Sequence, residues 1–268
     1  VRQDAPPRPP TEANREVAWN YLHDNLANRG INIYSEQAYA AFITGHRIHD
    51  NVIINQRGDG ILLGYYVVGD NWVYNNLVVN AGQGPEWSDD PSSHTGMRIG
   101  VGHEEITQTA VYLYNNTLYG NGWSGAVYPG ETGSLLFHAE ALSRATIDWG
   151  NNIVYSTGEP YLAGESVALP AADYRNCWYG DGSGPVWDAG AVNDDPDFVN
   201  PGGFDFRLLE GSPAIDAGRN LGAVVPRDLL GVSRPQGMAL DLGAYESAGP
   251  PPVLDHHQYL PWVERGYR

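Results

Sequence analysis

The feature that most narrows what this chain can fold into is a repeat built around asparagine. Residues 48–54, 73–79, 113–119, 148–154 and 173–179 align on Asn51, Asn76, Asn116, Asn152 and Asn176, with apolar residues close after each Asn. The intervals are 25, 40, 36 and 24 residues, so two are the bare repeat and two carry an insertion. A weaker series opens each unit at Gly30-Ile31, Gly60-Ile61, Gly96-Met97, Gly125-Ala126 and Pro160-Tyr161. Short strands, sharp turns and a fixed period are the signature of a solenoid, in which each coil buries its apolar face only by stacking on the next. An Asn at one turn of every coil can hydrogen-bond to its neighbours above and below. The expectation is an all-β chain with a short solenoid of about five coils over residues 30–193.

Composition agrees with that reading. In 268 residues there are 33 Gly, 19 Pro, 17 Tyr and 8 Trp, suiting a turn-rich pleated fold better than a helical one. One exception is expected at the start. From Thr11 to Gly30, Val17, Tyr21, Leu22 and Leu26 fall at helical spacing between an N-cap-like Thr and a stop-like Gly, predicting a capping helix within an arm spanning residues 1–29. The formal charge is −17 and Lys is absent, so nucleic acid and anionic lipid are disfavoured as partners. A single Cys, Cys177, excludes an intrachain disulfide and paired-cysteine metal or haem motifs. No apolar run reaches the roughly 18 residues that a membrane-spanning helix needs. The chain opens at Val1 without a leader-like stretch, and a leader already removed is the expectation.

The Gly-Ile strand starts and stacked Asn turns resemble the right-handed parallel β-helix superfamily that includes the pectate-lyase-like proteins, over roughly residues 30–180. A second resemblance rests on Asp195-Pro196-Asp197-Phe198, Phe204-Asp205-Phe206-Arg207-Leu208, Gly211-Ser212-Pro213-Ala214-Ile215-Asp216, Arg234-Pro235 and Asp241-Leu242-Gly243-Ala244-Tyr245-Glu246. That succession looks like the choice-of-anchor Q module of bacterial surface β-helix proteins, over residues 194–248. It implies secretion to the cell surface and a β-helix upstream, but no single reaction. Within it Asp216, Asp228 and Asp241 alternate with Arg207, Arg219, Arg227 and Arg234; guanidinium–carboxylate pairs that close the end of the solenoid are the expectation.

Chemistry is sought in the insertions, because loops on a rigid scaffold carry binding residues. The longest, residues 82–95, holds Glu86, Trp87, Asp89, Asp90 and His94, with Arg98 on the following strand and His103-Glu104-Glu105 beyond. A Trp face can stack on a sugar ring, and the carboxylates can bind hydroxyls or a hard cation such as calcium. No other cofactor and no dedicated metal centre is expected. A lyase on such a fold needs a base for the C5 proton of a uronate, which without Lys leaves Arg98, His94 or a Tyr. A second insertion, residues 131–143, carries His138 and Glu140 among apolar residues and reads as packing. The tail, residues 249–268, begins with a stiff Gly249-Pro250-Pro251-Pro252 linker and continues to Tyr259, Leu260, Trp262 and Val263, apolar enough to need a partner. It resembles short C-terminal sorting tails of secreted bacterial proteins.

Two functional expectations follow, and whether the chain is an enzyme stays open. One is an extracellular surface protein with a structural, assembly or adhesion role, docking on copies of itself or another surface protein. The other is a polysaccharide lyase, a glycosidase or a carbohydrate-binding piece of one, using residues 82–105.

Overall fold

The computed structural model describes residues 15–35, 43–65, 67–85, 93–101, 109–123, 125, 129–138, 145–164, 166, 168–221 and 223–248. Three parallel sheets run along them, each contributed to once per repeat. The first contains β1 (Glu16–Ala18), β5 (Arg47–His49), β8 (Val67–Tyr74), β11 (Thr109–Tyr114) and β14 (Ala145–Gly150), with β4 (Ile43–Thr44) beside β8. The second contains β3 (Arg29–Ser35), β7 (Asp59–Tyr65), β10 (His94–Val101) and β13 (Thr132–Phe137). The third stacks β2 (Tyr21–His23), β6 (Val52–Ile54), β9 (Leu77–Val79), β12 (Thr117–Tyr119), β15 (Ile153–Tyr155) and β16 (Cys177–Tyr179). Each coil visits the sheets in turn, which is the order of a parallel β-solenoid.

The interior is a set of like-on-like columns. Ile48, Val73, Leu113 and Trp149 align in the first sheet; Ile53, Val78, Leu118, Val154 and Trp178 in the third; Ile61, Met97 and Leu135 in the second. These side chains are fully buried. Beside them runs the asparagine ladder. The Nδ2 of Asn20, Asn51, Asn76 and Asn116 donates to the Oδ1 of the next rung at 2.9 Å, and that of Asn152 to Asn176 at 3.0 Å. The same Oδ1 accepts the preceding rung's backbone N–H. The residue before each rung, Trp19, Asp50, Asn75, Asn115, Asn151 or Arg175, has positive φ. Asn tolerates that conformation and fills half of these places.

Three expectations are corrected here. The described part of the predicted helix, residues 15–29, contains β1, β2 and the start of β3. Val17 and Leu22 do turn inward, but on strands paired with residues 47–49 and 52–54, and Asn20 is the first rung. Helical spacing was outweighed by pairing with the next coil; residues 11–14 lie outside the described residues. The solenoid therefore starts at the first strand rather than at residue 30, and the ladder has a sixth rung. The fourth unit opens at Thr132-Gly133-Ser134, where Ser134 takes the place of Gly60 and Gly96, not at Gly125. Residues 132–137 of the supposed second insertion are thus a core strand, with Leu135, Leu136 and Phe137 buried.

The third correction concerns residues 198–246. They pack along the flank of the third sheet rather than over its end. Phe198, Phe206, Leu208, Ala214, Leu229, Leu242, Ala244 and Tyr245 cover the outward side chains Val52, Ile54, Leu77, Val79, Ile153 and Cys177. β17 (Phe198–Asn200) and β18 (Asp205–Leu208) form a small antiparallel pair within this layer. The turn asparagines anchor it: Asn75 donates to the carbonyl of Arg227, Asn115 to Asp241 and Gly243, and Asn151 to Arg219. Charge pairing is narrower than expected. Arg234 pairs with Glu246 at 2.8 Å, Arg207 with Asp205 at 2.6 Å and Arg219 with Asp148, whereas Asp216, Asp228 and Asp241 mainly accept backbone N–H groups. The last rung is closed instead by Asp188, which accepts from the backbone N–H groups of Arg175 and Asn176, from Asn176 Nδ2 and from Trp178 Nε1.

Candidate functional site

Of the loop residues singled out in the sequence, Glu86, Trp87, Asp89 and Asp90 lie outside the described residues, as do Glu140, the 103–105 turn and the tail residues Tyr259, Leu260, Trp262 and Val263. His94 and Arg98 are described, both on β10, and they meet different partners. His94 is 1% exposed; its Nδ1 lies 3.1 Å from the carbonyl of Arg57 and its ring meets Trp123 edge-on at 5.1 Å. It belongs to the packing between coils.

Arg98 gathers a polar cluster. Its Nε donates to His138 Nε2 at 2.9 Å and its Nη1 to Ser93 Oγ at 2.6 Å, with Asp59 and Glu131 carboxylates at 3.9 and 3.8 Å. A guanidinium only donates, so His138 Nε2 must be a lone pair and the ring neutral. Burial and the adjacent Arg98 charge bring the His138 pKa down to about 4, in accord with that assignment. Asp59 is wholly buried and accepts from Ser93 Oγ, Thr95 Oγ1 and Thr95 N. Burial pushes its pKa up, against the opposing pull of Arg98 and these hydrogen bonds. As placed, Arg98 is a donor to His138 and Ser93, and a guanidinium offers no acceptor atom with which to take up a proton. The cluster ties β7, β10 and the 129–138 stretch together.

A different surface is open. On the outer side of the first sheet Glu16, Arg47, Trp72, Tyr112 and Asp148 stand in register. Trp72 and Tyr112 stack with centroids 5.6 Å apart, and the Arg47 guanidinium lies over the Trp72 ring at 5.4 Å. Trp72 is therefore flanked by Tyr112 and Arg47 in the stack. Beside it Arg47, Trp72, Tyr74, Ala223 and Val224 line a recess of about 310 Å³ between the sheet and the flanking layer. These residues were not among the sequence candidates. The signal was available: Glu16, Arg47, Trp72, Tyr112 and Asp148 each stand four positions before a ladder Asn.

No protein-family model matches the chain, and no curated protein matches it in sequence. Among the described residues no cluster of three or more His, Cys, Asp or Glu is arranged to hold a metal ion, and no helix is long and apolar enough to cross a membrane.

Proposed function

We propose that this chain is a secreted, bacterial cell-surface β-solenoid of the right-handed parallel kind with a structural, assembly or adhesion role, its terminal segments docking on neighbouring copies. The observation that carries the reading is the flanking layer, residues 198–246, bonded to the turn asparagines of three successive coils. A layer fixed to several coils resists their separation, as a load-bearing or display element requires, and it leaves the Pro-rich tail to begin just beyond a firmly held Glu246. Right-handedness follows the near-universal hand of parallel crossovers. The choice-of-anchor Q resemblance of the same layer and the apolar tail both favour the cell surface.

The lyase or glycosidase alternative draws less support, since the Arg98 guanidinium is engaged as a donor to His138 and Ser93 and His94 is buried. Deleting residues 249–268 is expected to leave thermal unfolding nearly unchanged while reducing the sedimentation coefficient to that of a monomer. A truncated chain that keeps the assembly state of the full chain would sink the assembly reading.

A further inference from the structure

We propose that the recess formed by Arg47, Trp72, Tyr74, Ala223 and Val224 is the receptor for the chain's own tail, residues 253–268, delivered by a neighbouring copy. This rests on the assembly reading and names the surface it uses. At about 310 Å³ the recess lies at the lower limit of small-ligand sites, roughly 300 Å³, which fits one or two large side chains better than a stretch of polymer. Its walls are apolar and aromatic, with Val224 40% exposed although it is a large aliphatic residue. On its rim the Arg47 side chain has no hydrogen-bonded or ion-paired partner among the described residues, its guanidinium lying over the Trp72 ring. A chain of charge −17 with no Lys has few cations to leave unpaired. The occupant should thus offer large apolar side chains followed closely by a carboxylate.

The tail has that order: Tyr259-Leu260-Pro261-Trp262-Val263, then Glu264. Its starting point is near. Asp228, three residues beyond Val225, accepts the N–H of Glu246, and Val225 packs on Tyr74, a wall of the recess. From residue 248 the four-residue Gly-Pro-Pro-Pro linker reaches about 12 Å if extended at roughly 3.1 Å per residue. The run beyond it can thus reach the recess, and the assembly reading selects the recess of a neighbouring copy. Pro261 also limits the entropy lost on docking. In this arrangement Trp262 enters the recess against Trp72 and Val224, and Glu264 pairs with Arg47.

The test is a cysteine pair, Val224→Cys with Trp262→Cys, in the full-length chain oxidised with glutathione disulfide. The native Cys177 is buried, its thiol pushed up to about 12 by burial and nearby Asp195 and Asp194, so it does not compete. A bond between positions 224 and 262, mapped by peptide mass and migrating at dimer size on a non-reducing gel, is the expected result. The same bond at monomer size would show the tail folding back on its own recess; it would overturn delivery by a neighbour and, with it, the assembly reading. Absence of the bond, or equal cross-linking of Val186→Cys (98% exposed) with Trp262→Cys, would overturn the recess as receptor. Assembly persisting by sedimentation in that case would leave the assembly reading standing on another surface. As a second measure, Arg47→Glu should weaken self-association at least tenfold, and adding Glu264→Arg should restore it.

Discussion

Each rung of the ladder uses its amide almost completely. Asn116 Nδ2 donates to Asn152 Oδ1 and to the carbonyl of Val73, both at 2.9 Å, while its Oδ1 accepts the N–H and the Nδ2 of Asn76. A primary amide has two donor hydrogens and one acceptor oxygen, which is what a site between two identical coils can satisfy. The ladder is also directional, because every amide-to-amide bond runs from an Nδ2 to the Oδ1 of the rung on its carboxyl-terminal side, while the other hydrogen of each rung from Asn51 onward goes to a backbone carbonyl on the amino-terminal side. The terminal site needs an acceptor only, and Asp188 supplies a carboxylate where a seventh Asn would leave hydrogens unmatched. Asn116→Leu keeps the volume but strands the donors of Asn76, the acceptor of Asn152 and the Val73 carbonyl in a dry interior. With roughly 1–3 kcal/mol for each orphaned group, the variant should lose about 3 kcal/mol or more of unfolding free energy in urea. A loss under about 1 kcal/mol would mean that the neighbouring coils close over the site without these bonds.

Among the elements, the flanking layer meets the solenoid closely at Gly243. Its φ of 79° lies in the left-handed region, and an added Cβ would stand 2.6 Å from Thr117 Oγ1 and 2.7 Å from Ile153 Cδ1. Gly243→Ala should therefore cost about 2 kcal/mol and loosen the layer before the coils, read as faster amide exchange at Leu242 and Ala244 than at Val78 or Leu118. Uniform exchange in both sets would show that layer and coils open as one unit. The same comparison explains what the sequence could tell. The ladder was legible because one polar residue type recurs at a buried turn, where nothing else satisfies the same bonds. The first coil was not, because Val17, Tyr21 and Leu22 serve a helical face as well as two short strands, and only pairing with residues 47–54 decides between them. The coil at residues 132–137 hid for another reason: with Ser134 where Gly60 and Gly96 stand, it broke the glycine series while keeping the inward Leu135 and Phe137. The candidate site was the least legible. An insertion rich in Trp and acids drew attention to residues 82–95, whereas Arg47 and Trp72 belong to one recess only once the coils are in register and the layer has folded back over them.

Across the whole molecule the titratable groups oppose one another, and the balance sets where the protein is most stable. His49 lies in the first sheet between two carboxylates, Asp50 at 2.7 Å and Glu16 at 2.8 Å, stacked on Tyr74 at 4.6 Å with Trp19 at its edge. Burial works against its charge, but hydrogen bonds to Asp50 and Glu16 outweigh burial, and its pKa lies above the usual imidazole range. The stability it contributes is thus fully present below about pH 6.5 and is lost as pH rises through the folded-state value. Asp241 is pushed up to about 6, chiefly by burial, and Asp59 and Asp228 are raised for the same reason. The native state binds these protons more tightly than the unfolded chain, so each adds stability as pH falls through its folded-state value, Asp241 from about 6 toward 4. His138 acts in the opposite sense: with its pKa near 4, the folded state resists a proton that the unfolded chain accepts from about pH 6.5 downward. Below pH 6.5 the carboxylates and His138 therefore offset each other, while above it His49 has no such opponent. The melting temperature should fall between pH 6.5 and 8, by roughly 2–4 °C for each kcal/mol lost in a domain of this size. His49→Gln should flatten that limb, and His138→Asn should steepen the gain on acidification below pH 6.5. A wild-type melting temperature constant from pH 6.5 to 8, or a slope that survives in His49→Gln, would remove His49 as the group that joins the first coil to the rest in a pH-dependent way.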